Sequence, residues 1–228
     1  MDAGHYYAAQ LALFDRLVAG HANATVVPLR AEHVGAATCL TLIHLLPNEL
    51  SALIEAQVLG RLSAFQSKHY WYPSSDRHLT LKNVRRARVH AAFSSELVER
   101  ASNVIGHVCR TATPLEFDIL GPVCLPTSIV VRAIGTPAHR EMMLSFDREL
   151  AKSGVPDDKT YASNDVFVGN ITVCRFTEPP AADLIETIAA LRDQFIAKHT
   201  VRTACLVQCD EVCSSSSRVV LQEFALAA

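Results

Sequence analysis

Two stretches of this chain, DRHLTLKNV at 76–84 and VGNITVCRF at 168–176, read as versions of one template in which polar and apolar residues alternate around a polar-x-Thr triplet. Alternation of period two places each stretch in a strand with one face on the core, because successive side chains of a strand point to opposite sides. His78, Thr80 and Lys82 then share one face, and Leu79 and Leu81 the other. Asn170 and Thr172 are set against Ile171 and Val173 in the same way. If the two strands lie side by side, four polar tips, two of them hydroxyls, converge into a cradle suited to a tetrahedral phosphate.

The segments around the triplets repeat one order. ATCLTLIHLL (37–46) reads as a buried strand, and Pro47 opens a helix reaching about residue 65, with Leu50, Leu53, Ile54, Val58 and Leu62 at helical spacing. The loop SKHYWYPSSD leads to the first triplet strand, and a helix over about 92–108 follows. The second half opens with the strands PLEFDILGPV and SIVVRAIG and continues in a helix ending at Gly154. The polar loop VPDDKTYASND then delivers the chain to the second triplet strand. After Pro179 and Pro180 a helix is predicted whose apolar positions run from Leu184 to Ile196, and VRTACLVQC and RVVLQEFAL are the two final strands. Each half thus carries a strand, a helix, a loop, a triplet strand and another helix, the order expected of a duplication.

Residues 1–36 read as a helical extension and 37–228 as one domain of two pseudo-symmetric lobes. No apolar run approaches the roughly 18 residues a spanning helix needs, and Asp15 and Arg16 interrupt the N-terminal one, so neither anchor nor signal peptide is expected. With 21 Lys and Arg against 23 Asp and Glu, no global field draws the protein to nucleic acid or membrane, and any phosphate binding must be local. Seven cysteines, an odd number without paired short spacings, fit free thiols in a reducing cytoplasm better than a disulfide framework. Cys205, Cys209 and Cys213 recur at helical spacing, but the alternation around them predicts two strands and a serine-rich turn that would keep the sulfurs apart.

At this point the chain resembles the 2H phosphoesterases, the superfamily of 2′-5′ RNA ligase-like proteins and cyclic nucleotide phosphodiesterases. The resemblance covers roughly residues 37–227 and rests on TCLTLIHLLP, YWYPSSDRHLTL, PLEFDILGP with SIVVRAIG, GNITVCR and the closing LVQCDEVCSSSSRVVLQEFAL. It implies an α+β, bilobal fold of two antiparallel sheets with flanking helices around a central cleft. It also implies a reaction without metal or cofactor on 2′,3′-cyclic phosphates, RNA ends or 2′-5′ linkages. In that family each lobe supplies a His-x-Thr or His-x-Ser, one imidazole as general base and the other as general acid, with the hydroxyls on phosphate oxygens. The expected site is therefore His78, Thr80, Asn170 and Thr172. Asn170 departs from the pattern: a carboxamide donates hydrogen bonds but does not titrate between pH 5 and 8. The outcomes left open are a slow enzyme, a borrowed proton donor, with His44 as first candidate, or a protein that binds RNA ends or cyclic nucleotides without turning them over.

Around this core Lys82 is expected on phosphate and Arg175 on phosphate, in a structural ion pair or without a special role, and Lys82, Arg85, Arg86 and Arg88 would make a positive cleft edge or a solvated cluster. Tyr70, Trp71 and Tyr72 either stack a base, with Tyr72 the substrate contact, or pack beneath the loop. The remaining histidines, His21, His33 and His90 among them, lack metal-ligand spacing. No glycine-rich phosphate loop or nucleophile elbow is present, which argues against triphosphate hydrolysis and an esterase triad.

Overall fold

The computed structural model describes residues 2–19, 37–66, 69–89, 91–156, 158 and 161–227; the rest of the N-terminal extension, with His21 and His33, and also His90, lie outside the described residues. The chain runs α1 (Ala3–Val18), β1 (Ala37–Leu45), α2 (Asn48–Gln57), a 3-10 stretch (Leu59–Phe65), β2 (Tyr70–Trp71) and β3 (His78–Val89). It continues through α3 (Ser95–Thr111), β4 (Leu115–Leu125), β5 (Ser128–Gly135), α4 (Pro137–Lys152) and β6 (Gly169–Arg175). Four elements complete it: α5 (Ala182–Leu191), β7 (Phe195–Val201), β8 (Thr203–Cys209) and β9 (Val219–Ala225).

Local chemistry explains the helix ends. The Asp2 carboxylate accepts from the His5 amide at 3.0 Å and Ser94 Oγ from the Leu97 amide at 3.3 Å, each satisfying an amide that has no partner within its helix. Pro137 sits in the first turn of α4, and Gly154 closes that helix in the left-handed region at φ 72°.

All strands belong to one nine-stranded sheet ordered β7-β4-β5-β6-β3-β1-β8-β9, with β2 added on β6. The two predicted sheets are thus halves of a single one, and the order is symmetric about the β6/β3 junction: β5 answers β1, β4 answers β8 and β7 answers β9. A single pair, Leu79 opposite Ile171, joins the halves there. Arg202 alone separates β7 from β8, although they lie near opposite ends of the path, so the sheet curls until its two halves share one continuous stretch of chain. The predicted final helix also ends sooner than expected. Ile196 belongs to β7, which pairs with β4 from Leu115↔Val201 to Leu120↔Phe195.

One face of the sheet carries α2 to α5. Leu40 and Leu42, Leu79 and Leu81, Ile129, Val131 and Ala133, and Ile171 and Val173 pack there with Ile54, Ile105, Phe146 and Ile188 of the helices. On the other face α1 covers the second lobe, Phe14 packing on Val123, Val130 and Ile134. Gln10 fixes its register with both amide groups, donating to Gly135 O at 2.8 Å and accepting from Gly135 N at 2.9 Å.

Gly121 marks the closest approach of β4 to the end of α5. Its amide donates to Gln194 O at 2.7 Å, and a Cβ there would stand 1.9 Å from Leu191 O. Gly121→Ala is expected to destabilise the protein by about 3 kcal/mol, the upper range for overpacking, which a urea midpoint comparison measures directly.

Candidate phosphate site

The two triplets meet where the halves of the sheet meet. Because Leu79 and Ile171 are antiparallel partners with both side chains on the helix-covered face, the residues flanking them project together from the opposite face. His78 then faces Thr172, and Thr80 faces Asn170. Opposed residues of this kind lie about 4.5–5.5 Å apart and the diagonal pair, His78 with Asn170, about 7–8 Å. His78, Thr80 and Asn170 are half-buried and Thr172 is 9% exposed, so the group is recessed rather than displayed on the surface.

His78 is held in one tautomer. Its Nδ1–H donates to the Asp76 carbonyl at 2.7 Å, which leaves Nε2 with its lone pair available. Desolvation pushes the imidazole down to about 4, the Asp76 hydrogen bond opposes this, and the Arg218 and Arg175 charges add to it. At neutral pH this ring is a base without a proton to give.

Arg175 returns to the polar face because a bulge at Val173, between Ile129↔Cys174 and Val130↔Thr172, resets the alternation of β6. Its Nε donates to Tyr72 Oη at 3.4 Å. Arg218 approaches from the other lobe, donating to Cys213 O at 3.2 Å and Ser75 O at 3.0 Å. Both guanidiniums are held by neutral oxygens, and neither is in an ion pair among the described residues. Two positive charges therefore act on His78, opposed by the Asp76 carboxylate on the same side.

The serine-rich turn that carries Arg218 is organised by two carboxylates. Asp210 accepts from the Val212 and Ser214 amides at 3.2 and 2.9 Å and from Ser214 Oγ at 2.7 Å. Asp76 accepts from the Ser215 amide at 2.9 Å, which locks the turn against the segment preceding His78. Sequence reasoning missed Arg218, because nothing in its spacing ties the end of the chain to the first triplet.

Several expected members lie elsewhere. Lys82 is not beside His78 and Thr80. Thr80 pairs with Ile43 and Lys82 with Leu42, so the extra residue Leu81 forms a bulge that turns Lys82 to the helix-covered face. There its ammonium meets Asp147 of α4, lies 3.2 Å from Tyr161 Oη and stands 4.9 Å over that ring. Arg85 donates to Pro156 O at 2.8 Å and Arg88 pairs with Asp158 at 3.1 Å, so these members of the basic cluster hold the loop after α4 instead of edging the cleft.

His44 faces the helix side as the partner of Leu79. Its Nδ1–H donates to Thr203 O at 2.8 Å, and its Nε2 accepts from His199 Nε2–H at 2.9 Å, so it is not the substitute acid. Tyr72 is 2% exposed and offers no open ring to a base; its hydroxyl serves Arg175. Tyr70, edge-on to Tyr72 at 5.3 Å, keeps part of its ring accessible. Trp71 packs against the main core. The three closing cysteines are not kept apart either: the turn folds Cys213 back onto Cys209, and Cys205 lies in the same apolar cluster.

No family model and no curated protein matches the chain. Solved structures do. TT0787 of Thermus thermophilus superposes with a TM-score of 0.58 at 21% identity, over 82% of this chain and 97% of that one. E. coli LigT complexed with 3′-AMP gives 0.57 at 16% identity, over 85% and 99%. A structure described as a phosphoesterase gives 0.54 at 16% identity, over 84% and 99%. The fold is that of the LigT-like 2H phosphoesterases.

Proposed function

We propose that this chain, on its 2H phosphoesterase fold, binds nucleotide phosphate esters such as RNA ends or cyclic nucleotides and hydrolyses 2′,3′-cyclic phosphates or 2′-5′ linkages slowly. The observation that carries this reading is the register across Leu79 and Ile171, which sets two hydroxyls, one imidazole and one carboxamide around a single spot. Thr80 and Thr172 hold phosphate oxygens, Arg175 and Arg218 supply the charge that an anion requires, and Asn170 donates a hydrogen bond. His78, neutral at pH 7, accepts a proton from the attacking oxygen through Nε2. Among the described residues the leaving oxygen finds no comparable acid, and loss of one general acid costs about 10²–10⁴ in rate. LigT, which shares the fold, has been crystallised with 3′-AMP, NADP+, ATP and phosphate, ligands that all carry or are phosphate groups.

A second reading follows from Asn170 itself: the site holds the same ligands and turns none over. Purified protein incubated with nucleoside 2′,3′-cyclic phosphates and 2′-5′ linked oligonucleotides separates the two. Turnover that disappears in His78→Ala while binding persists supports the slow enzyme. Binding without turnover in the wild type supports the second reading. Arg175→Ala and Arg218→Ala are each expected to weaken binding about tenfold, the loss of one charge-assisted hydrogen bond; unchanged affinity in both would place the ligand elsewhere.

A further inference from the structure

Three cysteines, Cys39, Cys209 and Cys213, share one apolar cluster on one face of the first lobe. Cys39 of β1 and Cys209 of β8 are direct partners in register, and their Sγ atoms are 3.4 Å apart. Cα atoms of such partners lie about 4.5–5.5 Å apart, inside the span a disulfide bridges, so a bond of about 2.05 Å needs little more than side-chain rotation. Cys213, from the turn, packs in the same apolar cluster as Cys39 and Cys209. It has φ 54°, the one positive φ of a non-glycine residue among those described, and Arg218 holds its carbonyl at 3.2 Å.

The other thiols sit differently. Cys109 and Cys174 are sealed in the main core, Cys205 is 3.8 Å from a Glu223 oxygen, and Cys124 is half-buried with no neighbouring thiol in hydrogen-bond contact.

We propose that Cys213, Cys209 and Cys39 form a thiol relay that spends a hydroperoxide to make a Cys39–Cys209 disulfide. The Cys213 thiolate attacks the outer oxygen of the hydroperoxide, the O–O bond breaks, and the alkoxide leaves as alcohol after taking a proton. The Cys209 thiol attacks the resulting sulfenic sulfur, the S–O bond breaks and water departs, leaving a Cys209–Cys213 disulfide. Cys39 attacks Cys209, the Cys213 thiolate leaves, and the proton released by Cys39 balances the one taken by the alkoxide. Two thiols are oxidised by two electrons, and one hydroperoxide is reduced to alcohol and water.

The electrostatics suit this order. The neighbouring Cys209 thiol and the Arg218 charge hold the Cys213 thiol below its ordinary value against burial and the Asp210 charge, while burial raises those of Cys109, Cys124 and Cys174. Cys213 is 4% exposed but directly precedes a turn whose Ser215 and Ser216 are exposed, so opening of that turn is the shortest route for a small oxidant.

The test treats the full chain with hydrogen peroxide, quenches with an alkylating agent and maps peptides without reduction. The expected product links the Cys39 and Cys209 peptides, leaves the other five cysteines alkylated and reverts with dithiothreitol. Cys213→Ser is expected to slow its appearance by about tenfold or more, because the first attack needs a thiolate. Oxidation of the more exposed Cys124 ahead of these three, or no Cys39–Cys209 peptide, overturns the relay. So does formation at the wild-type rate in Cys213→Ser.

Discussion

Asn170→His is expected to raise hydrolysis of nucleoside 2′,3′-cyclic phosphates by about 10²–10⁴, the range that a restored general acid supplies. Position 170 lies diagonally across the β3/β6 junction from His78 with its side chain half-buried on the polar face, the place that the proposed reaction gives to the acid on the leaving oxygen. Arg132 is its neighbour on β5, with a guanidinium bonded to the Gly121 carbonyl at 3.1 Å and to that of Arg192. That charge favours the neutral form of a nearby imidazole, which keeps the gain toward the lower end at alkaline pH.

The pH profile carries an independent signature. In the wild type the only required state is neutral His78, held down to about 4, so the rate should rise through that value and stay flat above it. The variant also needs a protonated ring at 170, which adds a fall on the alkaline side and makes the profile bell-shaped. Steady-state rates between about pH 4 and 9 show either shape. A variant that is no faster and keeps the flat profile would remove position 170 from the acid's place.

Acid should unfold this protein early, and the buried His139 should be one of the main reasons. Its ring is 1% exposed, edge-on to Phe117 at 5.0 Å, and its Nδ1 has no partner among the described residues. Burial pushes it down to about 4 from an ordinary 6.5. Between those two values the unfolded chain binds a proton that the folded one refuses, so stability is complete above about pH 6.5 and is lost as pH falls toward 4. A gap of this size corresponds to roughly 3 kcal/mol. His78 and His199, also near 4, and His44 act in the same direction. Urea unfolding at several pH values should show His139→Leu losing less stability on acidification than the wild type. Equal slopes for the two proteins would acquit His139.

The fold is legible in the sequence because period-two and period-3.6 patterns survive wherever an element has one dry face. His78, Thr80, Asn170 and Thr172 are readable for that reason: each pair straddles an apolar residue, Leu79 or Ile171, that must turn inward. Bulges break the rule. Leu81 adds one residue opposite the space between Leu42 and Ile43, and from there on the parity of β3 no longer tells which face a side chain takes, so alternation alone misplaces Lys82. β7 is hidden for a different reason, since Ile196 falls where a further helical turn after Leu191 would put an apolar residue. Arg218 and the Cys39, Cys209, Cys213 cluster depend on how the serine turn folds back, and that is fixed by Asp76 and Asp210 binding its amides, contacts between distant parts of the chain.

The passage from β7 to β8 through Arg202 bears on how a ligand enters. Jaws that swing apart need a loose pivot, whereas here the two halves are stitched by backbone at the Leu79 and Ile171 pair, at β2 on β6 and at the Val201 to Thr203 step. The gape of the molecule is therefore set when the chain folds, and a guest is gauged by a frame of constant width instead of being clasped by a closing one.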